Sequence, residues 1–532
     1  MQMREHVSPK AVLIIALILG FFLSFSQFAI AEDPFAKIIA SIGSNETTLT
    51  LSRQNNITAD LVIPANITLR FNQGGSLNIA DTKTVTINGH VEAGLYQIFK
   101  WTGTGKVVLN KVKEVYPQWW GAKGDGVTDD TAAIQTALDA MEIGSILIIP
   151  SGQYYISSTL TLTKNRITIQ GTGLTSALYF NPTIANDNLF EQSGGLDNVI
   201  FKDFQVYNQN ANGCAGVSAF WISSGASRFV WDRIYIEHFN RLGIYIDSAC
   251  YLTIKNCRFL DMDNSAIASY LARAIRLSTY ANDVTIAENK FSQNDNCIYI
   301  PDAGAAVRIL NNSFENDGNS GNVIGITNQI YAFNIKALQI KGNYFEAERT
   351  GAANAVVEIE SCPSSEVSAN HFTGELGGIT YTTSFLKYTT SRNPIIFANT
   401  FEEISNYFFI VGNYPLKAFN NTFIDGGSTL TDYPSVIALM SGVSYIELDL
   451  KTDFVWNPIS LADGAGETSG NITITGAALG DTVQVYPPYN LQGILCMGYV
   501  SAANTVNIRL QNETGETIDL VEGTWKVKVI KY

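Results

Sequence analysis

The feature that most restricts this chain is a short pattern recurring from about residue 250: an aliphatic residue, Asn three positions later, one variable residue, then Phe. It reads Ile286-Ala-Glu-Asn289-Lys-Phe291, Ile309-Leu-Asn-Asn312-Ser-Phe314, Ile340-Lys-Gly-Asn343-Tyr-Phe345, Val367-Ser-Ala-Asn370-His-Phe372, Ile396-Phe-Ala-Asn399-Thr-Phe401 and Ala418-Phe-Asn-Asn421-Thr-Phe423. Cys257 takes the Asn place in Ile254-Lys-Asn-Cys257-Arg-Phe259. The Phe-to-Phe spacings are 32, 23, 31, 27, 29 and 22, and periods of about 20 to 50 residues mark stacked repeat units.

A second apolar run precedes most copies: Gly243-Ile244-Tyr245-Ile246, Ala274-Ile275-Arg276-Leu277, Cys297-Ile298-Tyr299-Ile300, Val357-Glu358-Ile359 and Leu386-Lys387-Tyr388. Its last apolar residue falls 13 or 14 positions before the Phe. Two phase-locked runs with alternating apolar residues predict an all-β coil with an apolar interior. Runs of three to five residues broken by Gly, Asn and Asp exclude helical repeats. The recurring asparagines are expected to be structural, each side-chain amide bonding to its neighbour one rung away. Degenerate copies near Val206 and Ile236 extend the coil towards the N-terminus.

Residues 1–31 read as a signal peptide, with Arg4 and Lys10, an apolar run at 11–23, and Ala29-Ile30-Ala31 as a cleavage site. The apolar run is shorter than the ~20 residues needed to cross a bilayer, so no membrane span is expected after cleavage, and the protein is expected to be secreted or at the cell surface. A net charge of -14 without any Lys/Arg run opposes nucleic acid as a partner. The six cysteines lack the paired spacing of a zinc site, and no metal site is expected. Most read as small buried apolar residues, although export permits a disulfide.

Trp119-Trp120-Gly121-Ala122-Lys123-Gly124-Asp125-Gly126-Val127-Thr128-Asp129-Asp130-Thr131, then Ile149-Pro150-Ser151-Gly152-Gln153-Tyr154-Tyr155-Ile156 and Ile167-Thr168-Ile169-Gln170-Gly171, resemble the opening of the pectate-lyase-like superfamily. That group includes rhamnogalacturonase- and epimerase-like proteins and phage tailspikes. The resemblance implies an all-β, right-handed parallel β-helix over 116–449, with an N-terminal capping helix. Ile134, Ala137, Leu138 and Met141 share one face of that helix, and Thr128, Asp129 or Asp130 can cap it. The Asp125 to Asp130 cluster is expected to serve turns and caps rather than a metal. Residues 32–115 read as a β-rich extension, and 450–532, where the period disappears, as a small C-terminal β-sandwich.

The polygalacturonase branch of the superfamily carries paired aspartates and a Gly-His-Gly motif. The best overlay here puts Arg273 in the place of one aspartate and retains only Asp295, and no Gly-His-Gly exists, so that mechanism is not carried over. Acidic residues nevertheless gather after the Phe positions, including Asp263, Asp295 and Asp317. Carboxylates about 5 Å apart suit a retaining glycosidase, and about 6.5 to 9.5 Å an inverting one. Asp263 with Asp295 or with Asp317 is the expected acid–base pair, solvated turn residues being the alternative.

Outward positions of the other run are Tyr245, Arg276, Tyr299, Glu358 and Lys387, an aromatic and charged stripe suited to sugars and their carboxylates. If the chemistry is elimination, Arg276 or Lys387 is the expected base and calcium the expected cofactor; otherwise no cofactor is expected. The expectation is a carbohydrate-active enzyme, a glycosidase or lyase, with an acidic or complex polysaccharide as its partner. The alternative is a noncatalytic glycan-binding or surface-structural β-helix. A phage tailspike shares the fold, but a cleavable signal peptide argues against it. Related folds make a homotrimer the assembly to test.

Overall fold

A computed structural model describes residues 34–530, except 193, 210–212, 224, 263–271, 295, 316–327, 348–354, 375–384, 390, 392–393, 403–408, 412–416, 420, 426–427, 430–436, 440–449 and 475. The expected signal peptide lies outside the described residues. The chain divides into two compact units: one runs to Gly121 and includes Asp139–Glu142, and the other holds Ala122–Leu138 and everything from Ile143 onward.

The second unit contains the coil. Its rungs are parallel strands on three faces, the all-β coil that the repeat predicts and the right-handed parallel β-helix that the resemblance implies. One face stacks Arg258–Leu260, Lys290–Ser292, Ser313–Glu315, Tyr344–Ala347, His371–Gly374 and Thr400–Glu402 in strict register. Inside it, Phe259, Phe291, Phe314, Phe345, Phe372 and Phe401 form a column of nearly parallel rings, with centroids 4.9, 4.8, 4.7, 4.6 and 4.8 Å apart. Those six rings are fully buried, and each removes enough apolar surface to stabilise the coil by about 1.5–3 kcal/mol.

The corner before each Phe explains the asparagines. The residue ahead of the Asn place turns the chain with positive φ: Asn256, Glu288, Asn311, Gly342, Ala369 and Ala398, between 52° and 69°. Each Asn then closes the corner. The side-chain amides of Asn289, Asn312, Asn343, Asn370 and Asn399 each donate to Oδ1 of the next Asn at 2.9–3.0 Å. The same amides donate to a carbonyl one rung back, as Asn312 does to Ile286 at 3.0 Å. Cys257 ends the ladder: it has no amide to offer, and its backbone N–H donates to Asn289 Oδ1 at 2.9 Å.

Those corners are always two residues long: 256–257, 288–289, 311–312, 342–343, 369–370 and 398–399. The seam from the Phe face to the next face is not. Its connections are 238–241, 261–272, 293–295, 316–329, 348–356 and 375–385. The uneven spacing of the phenylalanines therefore arises on one edge, while the faces keep their register.

The helix Thr131–Ala140 turns Ile134, Ala137 and Leu138 inward to 2% exposure or less. Its first-turn amide at Thr131 donates to Asp129 Oδ1 at 3.0 Å. The Gln135 side chain exchanges hydrogen bonds with the backbone of Thr161 at 3.1 and 2.7 Å, docking the helix on the coil's own strands. The acidic cluster is taken up by amides: Asp125 accepts from Val127 and Thr128, and Asp130 from Lys123 and Gly124. Burial raises the Asp130 carboxyl despite those two amide donors.

The strands from Leu450–Trp456 to Gly523–Ile530 are antiparallel and form one connected sheet with its own core, in which Trp525, Val527, Val506 and Ile508 are buried. Thr505–Gln511 pairs along one edge with both Gly466–Thr468 and Ile472–Thr473, and along the other with Leu495–Ala502.

In the first unit, residues 47–109 form a second three-faced parallel coil. Its rungs include Asn56↔Asn78↔Lys100 and Val62↔Thr86↔Val108. Asn78 donates to Asn56 at 3.0 Å and Asn110 to Asn88 at 2.7 Å.

Candidate functional site

The next face along the chain carries the stripe. Its strands Asn188–Gln192, Ser218–Ile222, Leu242–Lys255, Arg273–Ala287, Asn296–Ile300, Ile330–Phe333, Val357–Glu360 and Leu386–Thr389 pair in parallel. Alternation puts Phe220, Ile244, Ile275, Ile298, Ile330, Val357 and Leu386 inside, all but fully buried. The outward neighbours then fall into one register row: Glu191, Trp221, Tyr245, Arg276, Tyr299, Tyr331, Glu358 and Lys387. Each is half-buried.

All five stripe residues singled out from the sequence lie in this row. Trp221 and Tyr331 were missed, although both complete aromatic pairs. Trp221 stacks on Tyr245 with centroids 4.1 Å apart, and Tyr299 on Tyr331 at 5.1 Å. Arg276 stands between the pairs, its guanidinium carbon 5.8 Å from the Tyr245 ring and 5.9 Å from the Tyr299 ring. Its Nε donates to Ser278 Oγ at 3.0 Å. Two further arginines lie on ring faces, Arg241 at 4.5 Å from Trp221 and Arg273 at 4.0 Å from Tyr299. Flat guanidiniums on aromatic faces remain able to grip a carboxylate in bidentate fashion.

The far end of the row differs. Glu358 receives Lys387 at 2.7 Å and the Asn328 amide at 2.8 Å. Tyr331 donates its hydroxyl to Glu360 at 3.0 Å, and burial with that bond holds the phenol protonated well above its ordinary range. Glu358 and Lys387, both expected to bind substrate, compensate one another. Asp263, Asp295 and Asp317 lie outside the described residues.

Residues 118–363 match the family described as rhamnogalacturonase A/epimerase, pectate lyase-like. That stretch of the coil is similar to the pectate-lyase-like family. Among curated relatives is Depolymerase 1, capsule K30/K69-specific, of Klebsiella phage K5-2, 26% identical over 36% of this chain and 28% of that protein. The match spans less than a third of the relative's length. A 45-residue stretch is 51% identical to a probable glucan endo-1,3-beta-glucosidase of Arthroderma benhamiae, covering 8% of this chain and 5% of that one. Among solved structures, the A-module of a mannuronan C-5 epimerase from Azotobacter vinelandii is similar, with a TM-score of 0.43 and 15% identity over 62% of this chain and 99% of that one.

Proposed function

We propose that this chain is an exported, carbohydrate-active protein that binds an acidic polysaccharide along the row from Trp221 to Tyr331 and cleaves it by hydrolysis or elimination. The observation that carries the reading is the setting of Arg241, Arg273 and Arg276 on the faces of Trp221, Tyr245 and Tyr299. Rings stack on sugar faces while the guanidiniums pair with carboxylates. On a chain of net charge -14, a polyanion is held by such local cations rather than by the overall field. The phage relative, a capsule-specific depolymerase, supports a polysaccharide as the substrate. Asp263, Asp295 and Asp317 are the acids proposed for hydrolysis.

The test incubates purified protein with a panel of acidic and neutral polysaccharides, following reducing ends, unsaturated uronate absorbance and binding. Preferential binding of acidic polymers with release of either product supports the proposal; binding of none removes the row. One observation favours a noncatalytic reading: Glu358 and Glu360, two carboxylates of the strand paired beyond Tyr331, are already engaged by Lys387, Asn328 and Tyr331. Binding without either product would select it.

A further inference from the structure

The coil of the first unit, outside the stretch that matches the family, carries a groove of its own. One corner repeats on its three rungs, with Asn56↔Asn78↔Lys100 and Ile57↔Ile79↔Trp101 side by side in register. These six residues and the one that follows each Ile or Trp line an open cavity of about 420 Å³. Rungs lie about 4.8 Å apart, so the groove runs roughly 10 Å along the coil.

Alternation sends Ile57 and Ile79 inward to 0% and 2% exposure, whereas Trp101, in the same register place, stays only half-buried. The outward row beside it has donors to spare. Asn78 donates to Asn56 Oδ1 at 3.0 Å, which occupies the Asn56 carbonyl and leaves the Asn56 amide hydrogens without a partner among the described residues. Lys100, half-buried at the end of the row, makes no ion pair among the described residues. Asp81, the carboxylate next to Ala80, is turned to Thr104, whose amide and hydroxyl donate to it at 2.8 and 3.1 Å and lower its carboxyl. The groove therefore offers an apolar floor, one open aromatic side chain, one cation and an amide that can only donate.

We infer that this groove is a separate, noncatalytic site for a small saccharide of one or two rings carrying a carboxylate. Its volume lies in the range of small-ligand pockets, about 300–1,000 Å³, and its length is too short to follow a long polymer. The apolar face of a sugar ring stacks on Trp101, the carboxylate meets Lys100, and ring hydroxyls accept from the Asn56 amide. An aromatic carboxylate of similar size would satisfy Trp101 and Lys100 but leave that amide unmet, which is why a sugar is the better fit. The site lies within residues 54–102 and uses nothing from the row, which belongs to the other unit. It stands whether or not the row cleaves anything.

The experiment titrates sodium glucuronate, glucose and sodium benzoate into the full chain carrying Trp221→Ala and Arg276→Gln, so that the row is silenced, and follows saturation transfer to the ligand by NMR. Glucuronate is expected to bind saturably and more tightly than the other two. Adding Lys100→Gln should weaken glucuronate by about tenfold, the scale of one charge-assisted contact, and leave glucose unchanged. Trp101→Ala should weaken both sugars. Trp101→Phe, which keeps an aromatic face, should retain most of the binding, so that loss of stacking is told apart from loss of fold. No saturable binding of glucuronate, or binding that neither Lys100→Gln nor Trp101→Ala changes, overturns the inference. Benzoate bound as tightly as glucuronate overturns the choice of a sugar. Each of these outcomes leaves the reading of the row standing, since that is tested with polymer on the unaltered row.

Discussion

Asn343 and Asn370 are joined twice: the backbone N–H and the side-chain amide of Asn343 both donate to Asn370 Oδ1, at 2.9 and 3.0 Å. Asn343 in turn accepts the same two bonds from Asn312, and its amide also reaches the Ile309 carbonyl. Asn343→Ala therefore strands two donors on Asn312 and one carbonyl, in a corner where Asn343 is 1% exposed. Buried polar groups left unmet cost about 1–3 kcal/mol each, so a loss of at least about 3 kcal/mol is expected in denaturant unfolding. An unchanged midpoint would show that the ladder does not hold the corners.

Phe345 sits between Phe314 and Phe372 in the interior column, at 4.7 and 4.6 Å. Truncation to Ala opens a cavity that neighbours on both rungs cannot fill, and about 3–5 kcal/mol of stability should be lost. Phe345→Leu, which retains most of the volume, should cost clearly less in the same unfolding assay. Equal costs would mean that ring stacking and not volume governs the column.

Trp221 and Arg276 stand on either side of Tyr245 in the row but should fail differently. Trp221→Ala removes a stacking surface, and binding should weaken both for an acidic polymer and for its carboxyl-reduced form. Arg276→Gln should weaken binding of the acidic polymer alone, by about tenfold, as expected for about 1.4 kcal/mol of a charge-assisted contact. It should also flatten the salt dependence. Calorimetric titration with the two polymers separates these outcomes, and parallel losses in both variants would argue against carboxylate recognition by Arg276.

The described cysteines are all free thiols. Burial pushes the Cys257 thiol up to about 12, and those of Cys362 and Cys496 to about 11. At pH 8 they are almost wholly protonated and, with the buried Cys297, should resist alkylation in the native protein. Cys214 and Cys250, which are only partly buried, should react first. All six should react in denaturant; fast native labelling of Cys257 would contradict the packed corner.

The main coil was legible because its chemistry repeats in phase. A side chain that must fill the same corner or the same interior column on every rung leaves Asn and Phe at the same offset, however long the seam between rungs. The row was legible only where its strand also showed an aliphatic frame. Tyr331 escaped notice because the inward place beside it is Ala332, which interrupts the aliphatic alternation, and Trp221 because its rung precedes the degenerate copy at Trp231 and Ile236. The first unit's coil was readable only as separate strands: its corners lack a common Phe, and the signal lies instead in the paired asparagines Asn56 and Asn78, and Asn88 and Asn110.

The contrast between the two edges of the coil has a bearing on how such a chain can change. Corners closed by asparagine admit no insertion, since one added residue would break the amide column and shift every inward side chain to the outside. The opposite seam already takes anything from 293–295 to 316–329 without disturbing the rungs it joins. New recognition loops can therefore be grafted there, beside the arginines and rings of the row, while the scaffold beneath stays as it is.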